Sequence, residues 1–487
     1  MSVRRPRGLR RREFLSAAGS LLAGCATAPA VLTQGAPQDK VRFAIVGLNQ
    51  RGNELRRALE LVERAQVSVL CDVDQRILAR ELDDPRFTRG KPAVETDLRR
   101  VLERSDVDAV IVATPNHWHA LAGIWALQAG KHVYVEKPVS HSLWEGEQLA
   151  HAALRYGKIA QAGTQNRSDE GLRGFREWRA NQDLGAVRWA HAVWYRLRAP
   201  IGKVAGPQPI APEIDHDLFC GPREVGPVLR REYHYDWHWQ WPFGNGEIGN
   251  LGAHPLDDLR ALTGVGLPKR VLCAGARVLW DDDGQTPNVS LSVFDYGAFS
   301  AVLELRNLPL APGLDVGPSF RGFGSGLVVR FERGWLMAQR AETRFYDERG
   351  QLVESWRGDA GRHHLRNFTR AILKNDPALR AAPLEDVVTS SATCHLANNA
   401  WRAGREATLD ELREQLWGVD PALAALDSLP QHLAAHGIAP GKLRLRAGGW
   451  LDVAPERARF VSGDNFEAAN LFAKEEYRAP FAVPQLG

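Results

Sequence analysis

The sequence predicts an α/β N-terminal domain on a parallel sheet, followed by an α+β domain with a large, mainly antiparallel open sheet. Three observations carry this expectation. From residue 41 short apolar runs alternate with helical stretches, and repeated βα units imply a parallel sheet covered on both faces. After about residue 165 longer strands of alternating polarity take over, as in a sheet buried on one face. The 487 residues suffice for two or three domains with ample cores, and a hydrophobic content of 44% is ordinary for a globular chain.

Ahead of the first strand lies an address. RRREFLSAAGSLLAGC pairs Arg11 and Arg12 with Phe14 and Leu15, then continues as a short apolar run, and looks like a twin-arginine export signal. The run falls short of the roughly 20 apolar residues that a membrane-spanning helix needs. Leu22-Ala23-Gly24-Cys25 resembles a lipoprotein cleavage box, which would leave an acylated Cys25 as the first mature residue. A rival cut after Ala26-Thr27-Ala28 would release a soluble form. Residues 1–25 therefore read as a signal with lipobox that sends the chain to the periplasm, touching the membrane only through a lipid on Cys25. Residues 26–40 (ATAPAVLTQGAPQDK) are a linker.

Six arginines against Glu13 make residues 1–24 strongly basic, and without them the net charge of +4 becomes −1. No basic surface then argues for nucleic acid. The remaining cysteines (Cys71, Cys220, Cys273 and Cys394) form no CxxC and read as buried free thiols.

In the first domain, residues 41–165, VRFAIVG has the profile of a buried parallel strand and NELRRALELVERA (53–65) that of a helix. QVSVLCDVD is a second strand, LRRVLERS a helix, VDAVIVATP a third strand, and HALAGIWALQAG a helix stopped by glycine. HVYVEKP closes a fourth strand, and LWEGEQLAHAALRYG with IAQAGTQ adds one more pair. Gly47-Leu48-Asn49-Gln50-Arg51-Gly52 follows a strand and opens a helix. This is the dinucleotide fingerprint with Asn49 at its middle glycine, a residue that tolerates left-handed dihedrals. Asp72 ends the second strand. An acid there accepts hydrogen bonds from ribose hydroxyls and repels a 2′-phosphate, which favours NAD over NADP. The domain is therefore expected to be a Rossmann domain. Thr114, Pro115 and Asn116 end the third strand, where ligands sit in open α/β sheets. Glu136 and Lys137 end the fourth at the same edge, and a lysine near a positively charged nicotinamide has its pKa lowered toward neutrality.

The second domain, residues 166–462, is expected to contain VRWAHAVWYRLR, RVLCAGARVLW, VSLSVFDYGAFSAVLEL, LVVRFERGWLMA and TRFYDERGQLVESW as strands. HHLRNFTRAILK and VVTSSATCHLANNAWRAG supply helices, and residues 463–487 a tail packing back on the body. YHYDWHWQW (233–241) places an aromatic ring at every odd position. Period-two alternation puts all five rings on one face of a strand. Trp237 and Trp239 would then either wall a pocket for the C–H face of a sugar ring or pack under the sheet. His234 and His238 lack a third partner in any ligand pattern, so no metal is expected.

AIVG…G, CDVD, ATPNHWHA and EKP in this order resemble the glucose–fructose oxidoreductase / inositol dehydrogenase family, Gfo/Idh/MocA. The likeness continues through GTQNRS, WHWQWPFGNGEIGNLGAHPLDD, HLRNF, CHLANNAWRAGR and YRAPFAVP, nearly the whole chain after residue 40. The resemblance implies a Rossmann domain followed by an open-sheet domain that faces the nicotinamide and mediates homo-oligomers. It implies that Thr114, Pro115, Asn116, His119, Glu136 and Lys137 bind cofactor, and that Gln165, Arg167 and Asp257 bind substrate. Lys137 would hold the reacting oxygen and His254 would act as general acid or base. Asn250 stands where the family often has aspartate, so it can position a hydroxyl but cannot stabilise an imidazolium by charge. Gly249, Gly252 and Pro255 suggest a tight loop entering a helix, with His254 at its positive end, which disfavours the protonated ring.

Free NAD is scarce outside the cytoplasm, so an exported enzyme of this kind is expected to keep its cofactor tightly bound and reset it in each cycle. Oxidation of a sugar, glycoside or polyol hydroxyl is the first reading. Glycoside hydrolysis through transient oxidation and elimination is the second, and a non-catalytic anchored carbohydrate-binding protein the third.

Overall fold

The computed structural model describes residues 39–487 apart from Thr88 and Ala341. The export signal, Cys25 and most of the linker lie outside the described residues.

Among the described residues the first sheet has six strands, all parallel: β1 (Val41–Val46), β2 (Ala65–Cys71), β3 (Ala93–Glu95), β4 (Ala109–Val112), β5 (His132–Val135) and β6 (Ala160–Ala162). Their order is β3-β2-β1-β4-β5-β6, so the chain reverses direction across the sheet between β1 and β4. An open α/β sheet receives its ligand at such a switch point, beyond the carboxyl ends of the strands. β1 and β4 are buried almost throughout, as their unbroken apolar sequences require. The first helix runs over Arg51–Glu60, shorter than the expected 53–65. Ala65 already pairs with Val41 in the sheet, and the Val41 amide donates to the Arg64 carbonyl at 2.8 Å, so the strand claims the end of the helical pattern.

The second sheet has twelve strands. Its main body is β7 (Val187–Tyr195), β8 (Arg270–Ala276), β9 (Val289–Asp295), β10 (Ser300–Arg306), β11 (Ser325–Phe331), β12 (Gly334–Ala338), β13 (Glu342–Tyr346) and β14 (Leu352–Arg357). These run in the order β14-β13-β12-β11-β7-β10-β9-β8. Every pairing is antiparallel except β7 with β10, because β7 inserts between two hairpins formed much later in the chain. One face buries Leu303, Val329 and Phe294 with Leu256 and Leu259 of the helix Ala253–Thr263 and Leu396 of the helix Leu384–Ala403.

Chain order does not partition the cores. Leu365, Phe368 and Ile372 of the helix His364–Lys374 complete the cluster on one face of the parallel sheet. On its other face Phe481 and Val483 join Trp118, Leu121 and Val135. Residues 477–486 cross onto the N-terminal domain: the Tyr477 hydroxyl donates to Glu145 at 3.2 Å and the Leu486 amide to Gln148 at 2.6 Å.

Candidate active site

The carboxyl ends of β1, β2, β4 and β5 open into a cavity of about 350 Å³. Gly47 turns the chain with φ 82°, and a Cβ there would stand 2.7 Å from the Ala113 carbonyl oxygen. At Gly52 a Cβ would stand 1.7 Å from the Gly47 carbonyl oxygen, so the first turn of the helix closes tightly on the strand. The positive φ between these glycines belongs to Gln50, at 41°, and not to Asn49. Asn49 lines the cleft in an ordinary conformation. The amide-bearing turn and the helix start form the kind of cradle that receives a pyrophosphate.

Asp72, buried at the end of β2, accepts the Leu48 amide at 2.8 Å and the Asp74 amide at 3.0 Å. It lines the same cleft and has further lone pairs for hydroxyl donors. The Thr114 hydroxyl lines the cleft too and is buried without a partner. An orphaned polar atom beside a glycine cradle and a ribose-reading acid fits a dinucleotide. Arg51 bridges from the helix start to Glu136 at 2.8 Å. His119 has its ring nitrogens 2.6 Å from the Pro138 carbonyl and 2.8 Å from the Thr114 carbonyl. Burial lowers its pKa, and the neutral ring donates to one of the two, sitting between the ends of β4 and β5. Pro115 and Asn116 complete this wall, with the Asn116 amide donating to Asn245 at 3.1 Å.

Lys137 meets the second domain here. Its ammonium donates to the Asn250 side-chain oxygen at 2.7 Å and to the Asn250 backbone carbonyl at 3.0 Å. Burial lowers its pKa to about 8; Arg51 and Arg198 act with burial, while Glu136 and Glu247 oppose the fall. The Asn250 amide donates in turn to Glu247 at 3.1 Å, which accepts Arg198 at 2.7 Å on its other oxygen. Arg198 also donates to the Tyr235 hydroxyl at 2.6 Å. Burial pushes the Glu247 carboxyl up, but His238 and Arg198 more than offset this and hold it at about 2. His238 stands 3.7 Å away, beyond hydrogen-bond range, so its share is electrostatic.

His254 occupies the first turn of the helix Ala253–Thr263, buried beside Trp194 with ring centroids 5.6 Å apart. Its Nδ1 has no partner. Burial first, then the charges of Lys137, Arg340 and Arg51, drive its pKa well below the usual imidazole value, so the ring is neutral. Lys137 and Asn250 line the cleft, and His254 does not.

Four expectations are corrected. Residues 236–239 form a 3₁₀ turn, not a strand, because the Asp236 carboxylate accepts the Glu232 amide at 2.8 Å and curls the chain. The aromatic rings therefore scatter. Trp237 lines the cleft, whereas Trp239 is fully buried, edge-on to Trp280 and beneath Arg277, and belongs to the core. Arg167 grips Asp257 through two nitrogens at 2.8 and 2.6 Å and reaches Asp386 at 2.5 Å. Fully buried Asp257 also accepts Ser390 at 2.7 Å, and neither Arg167 nor Asp257 lines the nucleotide cleft, so the two form an ion pair away from its wall. Gln165 is likewise absent from the cleft wall; its amide, oriented to satisfy both neighbours, spans Gly163 and Arg340. The residues missed from sequence are Glu247, Arg198 and Tyr235. Glu247 precedes Asn250 by three, a helical neighbour spacing that was legible, whereas Arg198 comes from a distant strand end.

A glycine cradle, a buried acid after β2 and a lysine just beyond β5 define a dinucleotide-binding domain whose cleft is completed by an open-sheet partner. Residues 41–164 match the family model described as oxidoreductase family, NAD-binding Rossmann fold, and the N-terminal domain is an NAD-binding Rossmann domain. Over 174 residues the chain is 34% identical to a glycosyl hydrolase family 109 protein of Shewanella baltica, covering 31% of this chain and 38% of that one. It is 32% identical, over the same length and shares, to an α-N-acetylgalactosaminidase of Shewanella oneidensis. The chain thus spans under two-fifths of the curated relatives it matches. The WlbA dehydrogenase of Bordetella pertussis, solved with NADH and UDP-GlcNAcA, has the same fold, with a TM-score of 0.54 at 16% identity over 74% of this chain and 95% of that one.

Proposed function

We propose that the protein is an NAD-dependent oxidoreductase acting on a hydroxyl of a sugar, glycoside or related polyol. The observation that carries this reading is the 2.7 Å contact between the Lys137 amine and Asn250 at the mouth of the nucleotide cleft. When bound, NAD supplies a hydride acceptor for the carbon that bears the hydroxyl. The protein must then hold that hydroxyl and remove its proton. Lys137, with a pKa of about 8, exchanges a proton near neutrality and can polarise the oxygen in its charged form. Asn250 fixes the amine and offers its amide group to a neighbouring hydroxyl. His254 is buried and neutral and does not line the cleft, so the proton is assigned to Lys137.

Tight retention of the nucleotide belongs to the same proposal. Residues 213–215 pair with residues 73–75 beyond Asp72, and His234 reaches Asp74 at 2.9 Å, so a strap from the second domain crosses the ribose end. Export by the twin-arginine route and lipidation at Cys25 suit a protein folded around its cofactor before translocation. Partly buried Trp189, Phe320, Trp335 and Tyr346 on the far face of the second sheet support a homo-oligomer.

A second reading is glycoside hydrolysis, favoured by the names of the Shewanella relatives. Transient oxidation at one carbon acidifies the neighbouring C–H, and elimination followed by water addition cleaves the glycosidic bond. Product analysis on the purified protein with a panel of glycosides separates the readings. Oxidised sugar with reduced-nicotinamide absorbance supports the first. Released aglycone with no net redox change supports the second. Lys137→Ala should lower turnover by about 10²–10⁴-fold while nucleotide still co-purifies; full activity would remove Lys137 from the chemistry.

A further inference from the structure

A second cavity, of about 360 Å³, lies between the turn after the first helix and the helix His364–Lys374. That helix buries Leu365, Phe368 and Ile372 in the core and so turns Arg366, Arg370 and Lys374 outward at i, i+4 and i+8. Among the described residues none of these three cations has a hydrogen bond, an ion pair or a ring contact. Other arginines of this chain are closely paired, such as Arg42 with Asp108 at 2.7 Å and Arg380 with Glu385 at 2.7 Å. Like charges at i, i+4 oppose each other, so the helix keeps a repulsion that the folded protein does not offset. Arg64 adds a fourth cation to the groove wall, and Glu63 is the one acid there.

The place of this groove matters as much as its charge. The described body begins at β1, whose Val41 amide bonds the Arg64 carbonyl at 2.8 Å, so the N-terminal segment joins the body beside the groove. The stretch from Cys25 to Lys40 can span at most about 50 Å. The nucleotide cleft lies beyond the opposite, carboxyl ends of β1 and β2, about 20 Å along the strands.

We propose that this groove is a docking surface for an anionic phospholipid bilayer, with the cleft facing away from the membrane. Headgroup phosphates supply the negative partners that Arg366, Arg370 and Lys374 lack, within the Debye length of about 10 Å at 0.1 M salt. The inference rests on the proposed lipid anchor at Cys25, which would hold the body at a bilayer surface, where a basic face adds electrostatic attraction to anionic lipid. The inference is independent of the carbohydrate reading, since none of these residues lines the nucleotide cleft.

The test compares the full chain with its Arg366→Gln/Arg370→Gln/Lys374→Gln variant on vesicles of equal phosphatidylglycerol and phosphatidylcholine. Leader arginines are common to both chains and cancel. The triple variant should partition at least about tenfold more weakly, and Arg370→Gln alone about fivefold. Nucleotide content and turnover should be unchanged, which separates a failure here from a failure of the catalytic reading. Equal partitioning of both chains overturns the proposal, as does wild-type binding to pure phosphatidylcholine of the same strength. Displacement by inorganic phosphate beyond that by chloride of equal ionic strength would mark a soluble-anion site and overturns it too.

Discussion

At the scale of single residues, Asn250 sets the behaviour of Lys137. A neutral amide at 2.7 Å accepts from the amine without adding charge, so burial is free to bring its pKa down to about 8. The proton-accepting form of a lysine is the uncharged one, so turnover should rise with pH through about 8 and level off above it. Asn250→Asp puts a carboxylate against the ammonium, favours the charged form, and should move that limb alkaline by about one unit or more. A pH profile of kcat/KM for the two proteins checks this, and an unmoved limb would mean that another group titrates. Lys137 and Asn250 were legible in the sequence because each sits in a short local motif. Arg167 and Asp257 lie outside the cleft wall for the opposite reason: their partners Asp386 and Ser390 come from far along the chain, and only the fold brings them together. His119 shares the cleft, yet its ring is held between two backbone carbonyls, donating to one of them, and so serves to position rather than to bind.

At the scale of elements, the strand-turn-helix at residues 41–60 was readable because its glycines have a steric reason. Gly52→Ala would drive a methyl to 1.7 Å from the Gly47 carbonyl, and the helix start must move off the strand. We expect a loss of about 3 kcal/mol or more in urea unfolding, with bound nucleotide lost in parallel. Wild-type stability in Gly52→Ala would show that the helix start is free to shift. The aromatic stretch misled because periodicity reports only spacing. Asp236 captures the Glu232 amide and the turn it forms overrides the strand pattern, which needs a neighbouring strand to pair with. Alternation showed β7 and β8, but it ran β9 with β10, β11 with β12 and β13 with β14 together as single stretches where the structure turns hairpins. The parallel pairing of β7 with β10 was not visible. Which strand inserts where depends on contacts more than a hundred residues apart.

At the scale of the whole molecule, the cleft depends on chain segments from both ends. Phe481, 1% exposed, packs against Trp118 and Trp125 at 5.5 and 6.2 Å, with Arg99 over its ring. Trp118 itself lines the nucleotide cleft, and its indole nitrogen donates to the Leu218 carbonyl at 3.0 Å in the overlying segment. The tail therefore wedges the helix His119–Gln128 against the part of the second domain that lines the cleft through Leu218 and Phe219. Phe481→Ala removes the wedge and should cost about 3–5 kcal/mol of unfolding free energy, as for other large-to-small core changes. Nucleotide retention should fall with it, because Trp118 loses the ring that fixes it. The pH limb assigned to Lys137 should not move, since its partner Asn250 is held by Glu247 and neither touches Phe481. Denaturation, nucleotide release and the pH profile measured together on one variant resolve these effects. A destabilised Phe481→Ala protein that still released its nucleotide at the wild-type rate would leave the tail as a clamp on the fold alone.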